Sequence, residues 1–268
     1  MTADEFMPRE PHTPHAIGTA QPITNTSSVV TVSSIATLSS TATSPSITTV
    51  SSIATSAPPI VRPLPFTAPR LLAPMEGVTE PCFRDLVLSE NSSEHLGGAF
   101  TEFARVVREP LSKRALREHL GERRFDAPVG LQLMGSDLES LAITAARAAE
   151  IGAPLVDLNF GCPAKGAIRT CAGSALLREP VAIERIVRAC AEAAGGSPVT
   201  AKIRAGYDDA SLVEELALAA EAGGAAMLTV HCRTRVEAFQ DDVDWSRVAR
   251  AVSAVTIPVC GNGGIDSH

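Results

Sequence analysis

Cys162 is the residue whose type and position most strongly indicate chemistry in this sequence. It follows a short apolar run at 154–158, which predicts a buried parallel strand, and the flanking Gly161 and Pro163 cannot continue that strand. In α/β enzymes the strand fixes the position of a site, and the loop after it carries the reactive side chain. Because most free cysteines are simply small buried hydrophobic residues, this stretch alone leaves both interpretations open.

Polar side chains also end other predicted strands. One Gln, one Lys, one His and one Asn each end a different strand: Gln132, Lys202, His231 and Asn262. An unpaired ammonium is costly to bury, so Lys202 should meet an anion or an electron-rich ligand. The others have simpler alternatives, since Gln132 can satisfy a barrel carbonyl and His231 can be a hydrogen-bonded core histidine. Asn262 can belong to a turn, although its Gly-rich loop can also approach a phosphate.

Seven short apolar runs alternate with amphipathic stretches from residue 70 onward, and these elements must position the polar side chains. The runs lie at 71–75, 99–103, 129–134, 155–158, 199–203, 226–230 and 257–260, and the predicted helices include 138–151, 180–194, 211–222 and 245–252. Strands joined by helical crossovers form a parallel sheet, and seven in a row favour an α/β fold of the (β/α)8 TIM-barrel type. The sequence stops at His268, just after the seventh strand, so we expect an incomplete barrel of about seven strands in a truncated chain.

Residues 1–66 differ in composition from the rest and predict a disordered N-terminal extension. They are rich in Ser and Thr, and the heptapeptide Thr-Val-Ser-Ser-Ile-Ala-Thr occurs at 31–37 and again at 49–55. Its alternating pattern could pair as strands, but nothing in the segment would cover the strand edges, so disorder is the stronger expectation. The Pro-rich stretch 58–65 predicts a stiff linker, and residues 67–268 are the predicted catalytic domain.

Composition argues against several classes of function. The net charge is −7; residues 1–66 hold three acidic and two basic residues, a net of −1, which leaves −6 for the remainder. An acidic domain is not a general nucleic-acid binder, so contact with RNA requires a local basic patch. The six cysteines form no CxxC pair, which argues against a metal site and for free thiols in a reducing compartment. The sequence contains no run of about 20 apolar residues, so it predicts no membrane span.

Taken together, the motifs resemble the tRNA-dihydrouridine synthases, and most of all their bacterial C-type branch. The resemblance depends chiefly on Asn-x-Gly-Cys-Pro at 159–163 together with Val-His-x-Arg-Thr at 230–234, because this pair at this separation is highly specific. Further matching motifs lie at 72–79, 101–107, 129–135, 157–165, 202–206, 244–245 and 262–263. The similarity covers roughly residues 70–266 in unbroken order.

This resemblance implies an enzyme that contains FMN and reduces the C5=C6 bond of a uridine in the D-loop of tRNA. NADPH would reduce the flavin, hydride would pass from flavin N5 to uracil C6, and an acid would protonate C5. The uridine would have to leave the tRNA fold to stack on the flavin. The positions that match the cofactor-binding motifs are Pro74, Met75, Gln132, Lys202, His231, Asn262, Gly263 and Gly264.

Each cofactor-binding position has an implied role. Pro74 and Met75 would meet the isoalloxazine edge with backbone groups and a soft side chain. Gln132 would hydrogen-bond the pyrimidine portion, and Lys202 would lie near N1 and the C2 carbonyl, where the charge of the reduced flavin accumulates. His231 would lie near the flavin or its phosphate, and the glycine-rich loop of strand seven would help hold the ribityl phosphate.

On the substrate side, the resemblance makes Cys162 the general acid that protonates uracil C5 from the face opposite the flavin. A neutral thiol is a reasonable donor if its pKa is not strongly lowered. Asn159 would recognise the uracil edge. The cations that would form a local positive rim for tRNA, or else a solvated surface, are Lys165, Arg169, Arg204, Arg233 and Arg235.

The sequence also departs from the family pattern. Cys171 lies where the family usually has no cysteine, and His231-Cys232 replaces the usual His-Gly. A strand-eight Gly-Arg pair and a C-terminal helical domain that grips tRNA would lie beyond residue 268. Two alternatives therefore stay open: a flavin-dependent reductase of free pyrimidines of the dihydroorotate-dehydrogenase type, and an inactive truncated paralogue. The favoured interpretation is a cytoplasmic monomer whose partner is tRNA, without DNA or membrane.

Overall fold

The computed structural model describes residues 29–32, 63–237 and 242–265, in which strands and helices alternate along the chain. The strands are β1 Val29–Val32, β2 Arg70–Leu72, β3 Gly98–Phe100, β4 Ala104–Arg105, β5 Val129–Met134, β6 Val156–Asn159, β7 Val199–Arg204, β8 Leu228–His231 and β9 Val259–Asn262. The helices are α1 Pro81–Ser89, α2 Lys113–Leu120, α3 Leu138–Glu150, α4 Lys165–Arg169, α5 Pro180–Ala193, α6 Val213–Ala222 and α7 Ser246–Ala254. A 3₁₀ helix, Gly173–Arg178, lies between α4 and α5.

Seven parallel strands form the wall of the barrel in the order β2-β3-β5-β6-β7-β8-β9. The two-residue strand β4 pairs with the carboxyl end of β5. Helices α3, α5, α6 and α7 follow β5, β6, β7 and β8, and neighbouring helices pack on one another outside the wall. The predicted α/β class and incomplete (β/α)8 barrel of about seven strands are therefore confirmed.

The strand β1 lies between the two ends of this parallel wall. It runs antiparallel to both β2 and β9, with Val30 opposite Leu71 and Thr31 opposite Gly261. β2 and β9 thus cover both edges of β1. Residues 1–28 and 33–62 lie outside the described part of the chain, and the expected disorder of residues 1–66 stays a prediction.

Helix α5 shows how the sequence builds the outer layer of the barrel. It begins at Pro180, whose fixed φ suits the first helical turn. Proline lacks an N–H, but an N–H at this position would have no acceptor within the helix. Its buried side chains are Ile183, Ile186, Val187 and Cys190, spaced i, i+3, i+4 and i+7 on one face. Burying each Ile or Val contributes about 1.5–3 kcal/mol, so this face holds the helix firmly on the wall.

The register of the strands places polar side chains side by side near their carboxyl ends. The cross-strand neighbours are Gln132, Asp157 and Thr200 in one row, Asn159 and Lys202 in a second, and Arg204, His231 and Asn262 in a third. Alternate residues of a strand face the same side, so the polar residues of β7 all point one way. In the described residues, no helix is both long and apolar enough to cross a membrane.

Candidate active site

Cys162 lies in the loop after β6, and the fold holds its main chain on both sides. Its N–H donates to Asn159 Oδ1 at 2.9 Å, and its carbonyl accepts from the Ser174 N–H at 3.0 Å. Gly173 approaches this loop with a positive φ of 58°, and a Cβ there would stand 2.9 Å from the Cys162 carbonyl oxygen. A side chain at position 173 would therefore displace the loop, which explains the glycine.

The Cys162 thiol is in an environment that keeps it protonated. The residue is 8% exposed and belongs to an apolar cluster with Met134, Ala167 and Ala172. Burial raises the pKa of this thiol, although a backbone hydrogen bond from Ala164 acts in the opposite direction. A neutral thiol can donate a proton, whereas a nucleophilic cysteine needs a lowered pKa. The environment of Cys162 thus suits an acid.

The side-chain amides of Gln132 and Asn159 are joined to each other. Asn159 Nδ2 donates to Gln132 Oε1 at 2.8 Å, and Gln132 Nε2 donates to Asp157 Oδ2 at 2.6 Å. Within the described residues, the Gln132 side chain therefore bonds to two other side chains and to no barrel carbonyl. Each amide nitrogen carries a second hydrogen that can serve a bound ring. Gln132 is 0% exposed and Asn159 is 9% exposed, so both face the interior.

Lys202 and Asn262 meet inside the barrel. Lys202 Nζ donates to Asn262 Oδ1 at 2.9 Å, and both residues are buried. Burial lowers the pKa of Lys202 to about 8, while the negative charge of Asp157 acts in the opposite direction. The ammonium is thus largely charged at neutral pH. A single amide oxygen compensates only part of a buried charge, so this position favours an anionic or electron-rich ligand.

His231 lies beside these groups as a neutral imidazole. Its Nδ1 accepts the main-chain N–H of Arg233 at 3.2 Å, which places the ring proton on Nε2. Burial lowers the pKa of His231 to about 2, and the nearby charges of Lys202 and Arg204 act in the same direction. The ring therefore presents an N–H donor and adds no charge to the site.

The loop after β9 contains two glycines that the local geometry requires. Gly263 has a φ of 98°, and a Cβ there would stand 2.8 Å from His231 Cε1. Gly264 has a φ of 64°, and a Cβ there would stand 2.2 Å from Val243 Cγ2. Non-glycine residues rarely adopt such φ values, and neither position has room for a side chain. The glycines allow the loop to lie against His231, with main-chain N–H groups that suit a phosphate.

Cys232 connects β8 to the same loop. Its thiol lies 3.0 Å from the Asn262 carbonyl oxygen and 3.2 Å from that of Gly263, to which it can donate. Arg247, on α7, donates to the Cys232 carbonyl at 3.0 Å and pairs with Glu237 through two bonds of 2.7 and 2.9 Å. These contacts hold the ends of β8 and β9 together. The cysteine that replaces the usual glycine thus makes contacts of its own.

The loop after β2 uses the main chain of Met75 for its own turn. The Met75 N–H donates to Thr79 Oγ1 at 2.9 Å, and its carbonyl accepts from the N–H groups of Val78 and Thr79. Because these hydrogen bonds already occupy the Met75 N–H and carbonyl, they compete with the predicted contact of these groups with a ligand. Pro74 and the Met75 side chain are half-buried at the same end of the barrel.

The five cations predicted to form a positive rim do not share one environment. Lys165 and Arg169 are exposed, Arg235 is half-buried, and Arg204 and Arg233 are buried at 7% and 6% exposure. Arg204 bridges two loops, because its Nε donates to the Gly161 carbonyl at 2.9 Å and its Nη1 to the Thr234 carbonyl at 3.0 Å. Arg204 therefore has a structural role next to Cys162.

Arg178 shares the Tyr207 ring with Arg235 and had no predicted role. Its guanidinium carbon stacks 3.7 Å from the centroid of the Tyr207 ring, and that of Arg235 lies 5.3 Å from the same centroid. Arg178 also pairs with Asp208 at 2.8 Å. Little in the sequence indicated this stacking, because the two arginines and the tyrosine are far apart along the chain.

Asp157 and Thr200 also had no predicted role. Asp157 is 1% exposed and accepts from Gln132 and from the Thr200 hydroxyl, each at 2.6 Å. Burial raises the pKa of Asp157, while these hydrogen bonds and the charge of Lys202 oppose that effect. An acidic residue within a buried apolar strand is the signal that marks such a position.

All six cysteines are free, as the spacing predicted. In the described ranges, no three His, Cys, Asp or Glu side chains are grouped so that they could hold a metal ion. The candidate site therefore consists of a protonated thiol, two linked amides, a buried ammonium and a neutral imidazole. It lies at the carboxyl ends of parallel strands, where barrel enzymes carry their chemistry.

The fold defines an incomplete (β/α)8 barrel with a polar site at the carboxyl ends of its strands. Residues 71–268 match the family model of the dihydrouridine synthases, so the chain belongs to that family. The tRNA-dihydrouridine(16) synthase of Pseudomonas putida is 40% identical over 204 residues, which cover 72% of this chain and 61% of the relative. The relative of that name from Shewanella oneidensis is 40% identical over 202 residues, which cover 73% of this chain and 63% of the relative. The chain thus spans less than two thirds of the length of these curated relatives.

Proposed function

We propose that this chain reduces a uridine in the D-loop of tRNA to 5,6-dihydrouridine, with FMN as cofactor and NADPH as reductant. The observation that carries the proposal is the protonated Cys162 thiol, which is held on a fixed loop at the same end of the barrel as Lys202 and His231. Membership in the dihydrouridine synthase family supports the reaction type.

The residues at the strand ends fit FMN. The buried Lys202 ammonium would stabilise the negative charge of a reduced flavin, and the Gln132 amide would offer hydrogen-bonding groups to its pyrimidine portion. The neutral His231 and the loop of Gly263 and Gly264 supply N–H donors for a phosphate. Pro74 and Met75 contribute apolar surface at the edge of the site.

Cys162 is the proposed proton donor. The chemistry that FMN supplies when bound is hydride transfer to C6 of the uracil. The C5 atom then needs a proton from the other face of the base, and the protonated Cys162 thiol can provide it. Because Asn159 holds the Cys162 main chain, its proposed contact with the uracil edge would use the second hydrogen of Nδ2.

The proposed substrate is tRNA, and the names of the relatives favour uridine 16 as the target. The exposed Lys165 and Arg169 lie on the helix that follows the Cys162 loop, where they can contact phosphates around an extruded base. Arg233 and Arg235 follow β8 at the same end of the barrel. We further propose a cytoplasmic monomer that acts on neither DNA nor a membrane.

The alternatives from the sequence receive less support. A reductase of free pyrimidines would use the same flavin site, but family membership favours tRNA. An inactive paralogue would not need Cys162, Lys202 and His231, each held by a hydrogen bond of its own near the end of a strand.

The purified chain can be titrated with FMN and then supplied with NADPH and a tRNA that lacks dihydrouridine. Saturable quenching of flavin fluorescence, followed by dihydrouridine at position 16 in mass spectra of the digested tRNA, is the expected result. A folded chain that binds no FMN would contradict the proposal. Reduction of free uracil or orotate, with tRNA untouched, would favour the pyrimidine reductase instead.

A further inference from the structure

Four hydrogen bonds connect a buried carboxyl group to the Cys162 loop, and a fifth holds the other oxygen of that carboxyl group. Asp157 accepts from Thr200 Oγ1 and from Gln132 Nε2, each at 2.6 Å. Asn159 Nδ2 donates to Gln132 Oε1 at 2.8 Å. Asn159 Oδ1 then accepts two main-chain N–H groups of the loop at 2.9 Å, one of which belongs to Cys162.

This chain of hydrogen bonds has a direction. Both carboxyl oxygens of Asp157 accept, one from Thr200 and one from Gln132, so Gln132 turns its amide nitrogen towards Asp157 and its oxygen away. That oxygen can also only accept, so Asn159 must present its nitrogen to Gln132. The Asn159 oxygen is then left to face the N–H of Cys162. Turning either amide around would set two donors or two acceptors against each other at the next link.

The fold leaves these side chains little freedom to find other partners. Gln132, Asp157 and Thr200 are direct cross-strand neighbours on β5, β6 and β7. Their exposed fractions are 0%, 1% and 0%, so water cannot replace a lost partner without a rearrangement. Burial raises the pKa of Asp157, while the hydrogen bonds from Gln132 and Thr200 and the charge of Lys202, on the same face of β7 as Thr200, act in the opposite direction.

We propose that Asp157 is a positioning residue. By accepting from Gln132, it sets the orientation of the Gln132 and Asn159 amides and thereby holds the main chain of Cys162 where its thiol can deliver a proton. The part concerning proton delivery rests on the proposed function, whereas the relay of hydrogen bonds is a property of the protein without ligands. Because Gln132 also lies in the proposed flavin site, one buried carboxyl group orients both halves of the site.

Three variants separate this role from ordinary core stability. Asp157→Asn keeps the shape of the side chain, but its amide can either donate to or accept from Gln132, so the direction is lost. Thr200→Val is the matched control, because it removes the other donor to Asp157 and leaves the link to Gln132 intact. The double variant Asp157→Asn with Gln132→Glu moves the carboxylate from position 157 to position 132, next to Asn159. The new carboxylate can again only accept from Asn159, which restores the direction at Cys162.

The readout is amide hydrogen exchange in ¹⁵N-cysteine-labelled protein without FMN, with the Cys162 signal assigned by its absence in Cys162→Ser. Asp157→Asn should speed exchange at Cys162 about tenfold, relative to the buried Cys190 and Cys260 in the same sample. Thr200→Val should leave it unchanged, and the double variant should return it to the original rate.

Unchanged exchange at Cys162 in Asp157→Asn would overturn the proposal. An equal acceleration at all three cysteines, or a double variant that behaves like Asp157→Asn, would overturn it too. Since no cofactor is present, the result is independent of the proposed function. If the unaltered chain fails to bind FMN while exchange follows the expected order, the proposed function fails and the relay stands. If FMN binds and exchange does not follow that order, only the relay fails.

Discussion

His231 enters the proposed site as a hydrogen-bond donor without charge. Three cationic side chains, Lys202, Arg204 and Arg233, already surround it, and burial together with these charges lowers the pKa of His231 to about 2. A protonated imidazole there would add a fourth positive charge in a poorly solvated place. The neutral form keeps its Nε2–H fixed, because Nδ1 is occupied by the Arg233 N–H.

We predict that His231 does not titrate between pH 4 and pH 9, because its proton affinity is far below that of a free imidazole. Long-range ¹H–¹⁵N spectra of the imidazole nitrogens can follow each histidine across this range, and the other five serve as internal comparison. The signal assigned by its loss in His231→Asn should keep the pattern of a neutral ring with its proton on Nε2. A titration of that signal near pH 6 would refute this protonation state.

At the level of residues, the sequence identifies side-chain types better than their partners. The positions of Gln132, Lys202, His231 and Asn262 at strand ends are visible in the sequence, and the structure brings Lys202 to Asn262 and Gln132 to Asn159. That Asn159 uses its oxygen to hold the Cys162 loop depends on three-dimensional distances that no spacing shows.

The loop after β9 is the element whose backbone shape matters most to the proposed phosphate site. Gly263 combines a positive φ with contact to the His231 ring, so a substitution there brings both strain and a clash.

We predict that Gly263→Ala weakens FMN binding at least about tenfold, because the new methyl group would push the loop away from His231. Gly152→Ala is the matched control: its φ is 84°, but nothing lies within 4 Å of the added Cβ. The control should lose only about 1 kcal/mol of unfolding free energy and keep its FMN affinity. Fluorescence titration with FMN measures the difference, and equal affinities of the two variants would contradict the role of this loop.

The pair of Glu237 and Arg247 joins the loop after β8 to α7. Two hydrogen bonds from the Arg247 guanidinium lower the pKa of Glu237 to about 2. Because the folded pKa lies below the unfolded value, the pair stabilises the fold above about pH 4.5. That stabilisation is lost as the pH falls from about 4.5 to about 2.

We predict that Glu237→Gln lowers the free energy of unfolding by about 2 kcal/mol at pH 6, and that this difference shrinks as the pH falls towards 2. Urea denaturation at several pH values measures it. The exposed pair of Arg114 and Glu118 provides the control, since Glu118→Gln should change stability little. A Glu237→Gln effect that stays constant between pH 6 and pH 3 would contradict the linkage.

Among the elements, strongly periodic segments are predictable and polar ones are not. The predicted strand 129–134 and helices 138–151 and 180–194 agree with the structure to within one residue. Helix α2 was not predicted, because it is highly charged and buries only Leu116 within the helix.

At the scale of the whole molecule, the parallel wall of seven strands gives the proposed site its rigidity. Strands β5 to β9 carry the polar rows near their carboxyl ends, and neighbouring helices pack on one another. The antiparallel pairing of β1 with β2 and β9 was not expected, because the sequence of Val29–Val32 offers no signal for its partners. The family could be recognised from the sequence, because its motifs follow the strands and can be identified by their residues and spacing alone.

Formation of dihydrouridine by the Cys162→Ala variant tests the central claim most directly. The variant and the matched Cys171→Ala control, which changes an exposed cysteine, can be given FMN, NADPH and unmodified tRNA. We predict that Cys162→Ala still binds FMN and still supports its reduction by NADPH, but that dihydrouridine falls by at least about a hundredfold while Cys171→Ala retains activity. Equal yields of dihydrouridine from Cys162→Ala and the unaltered protein would show that Cys162 is not the acid.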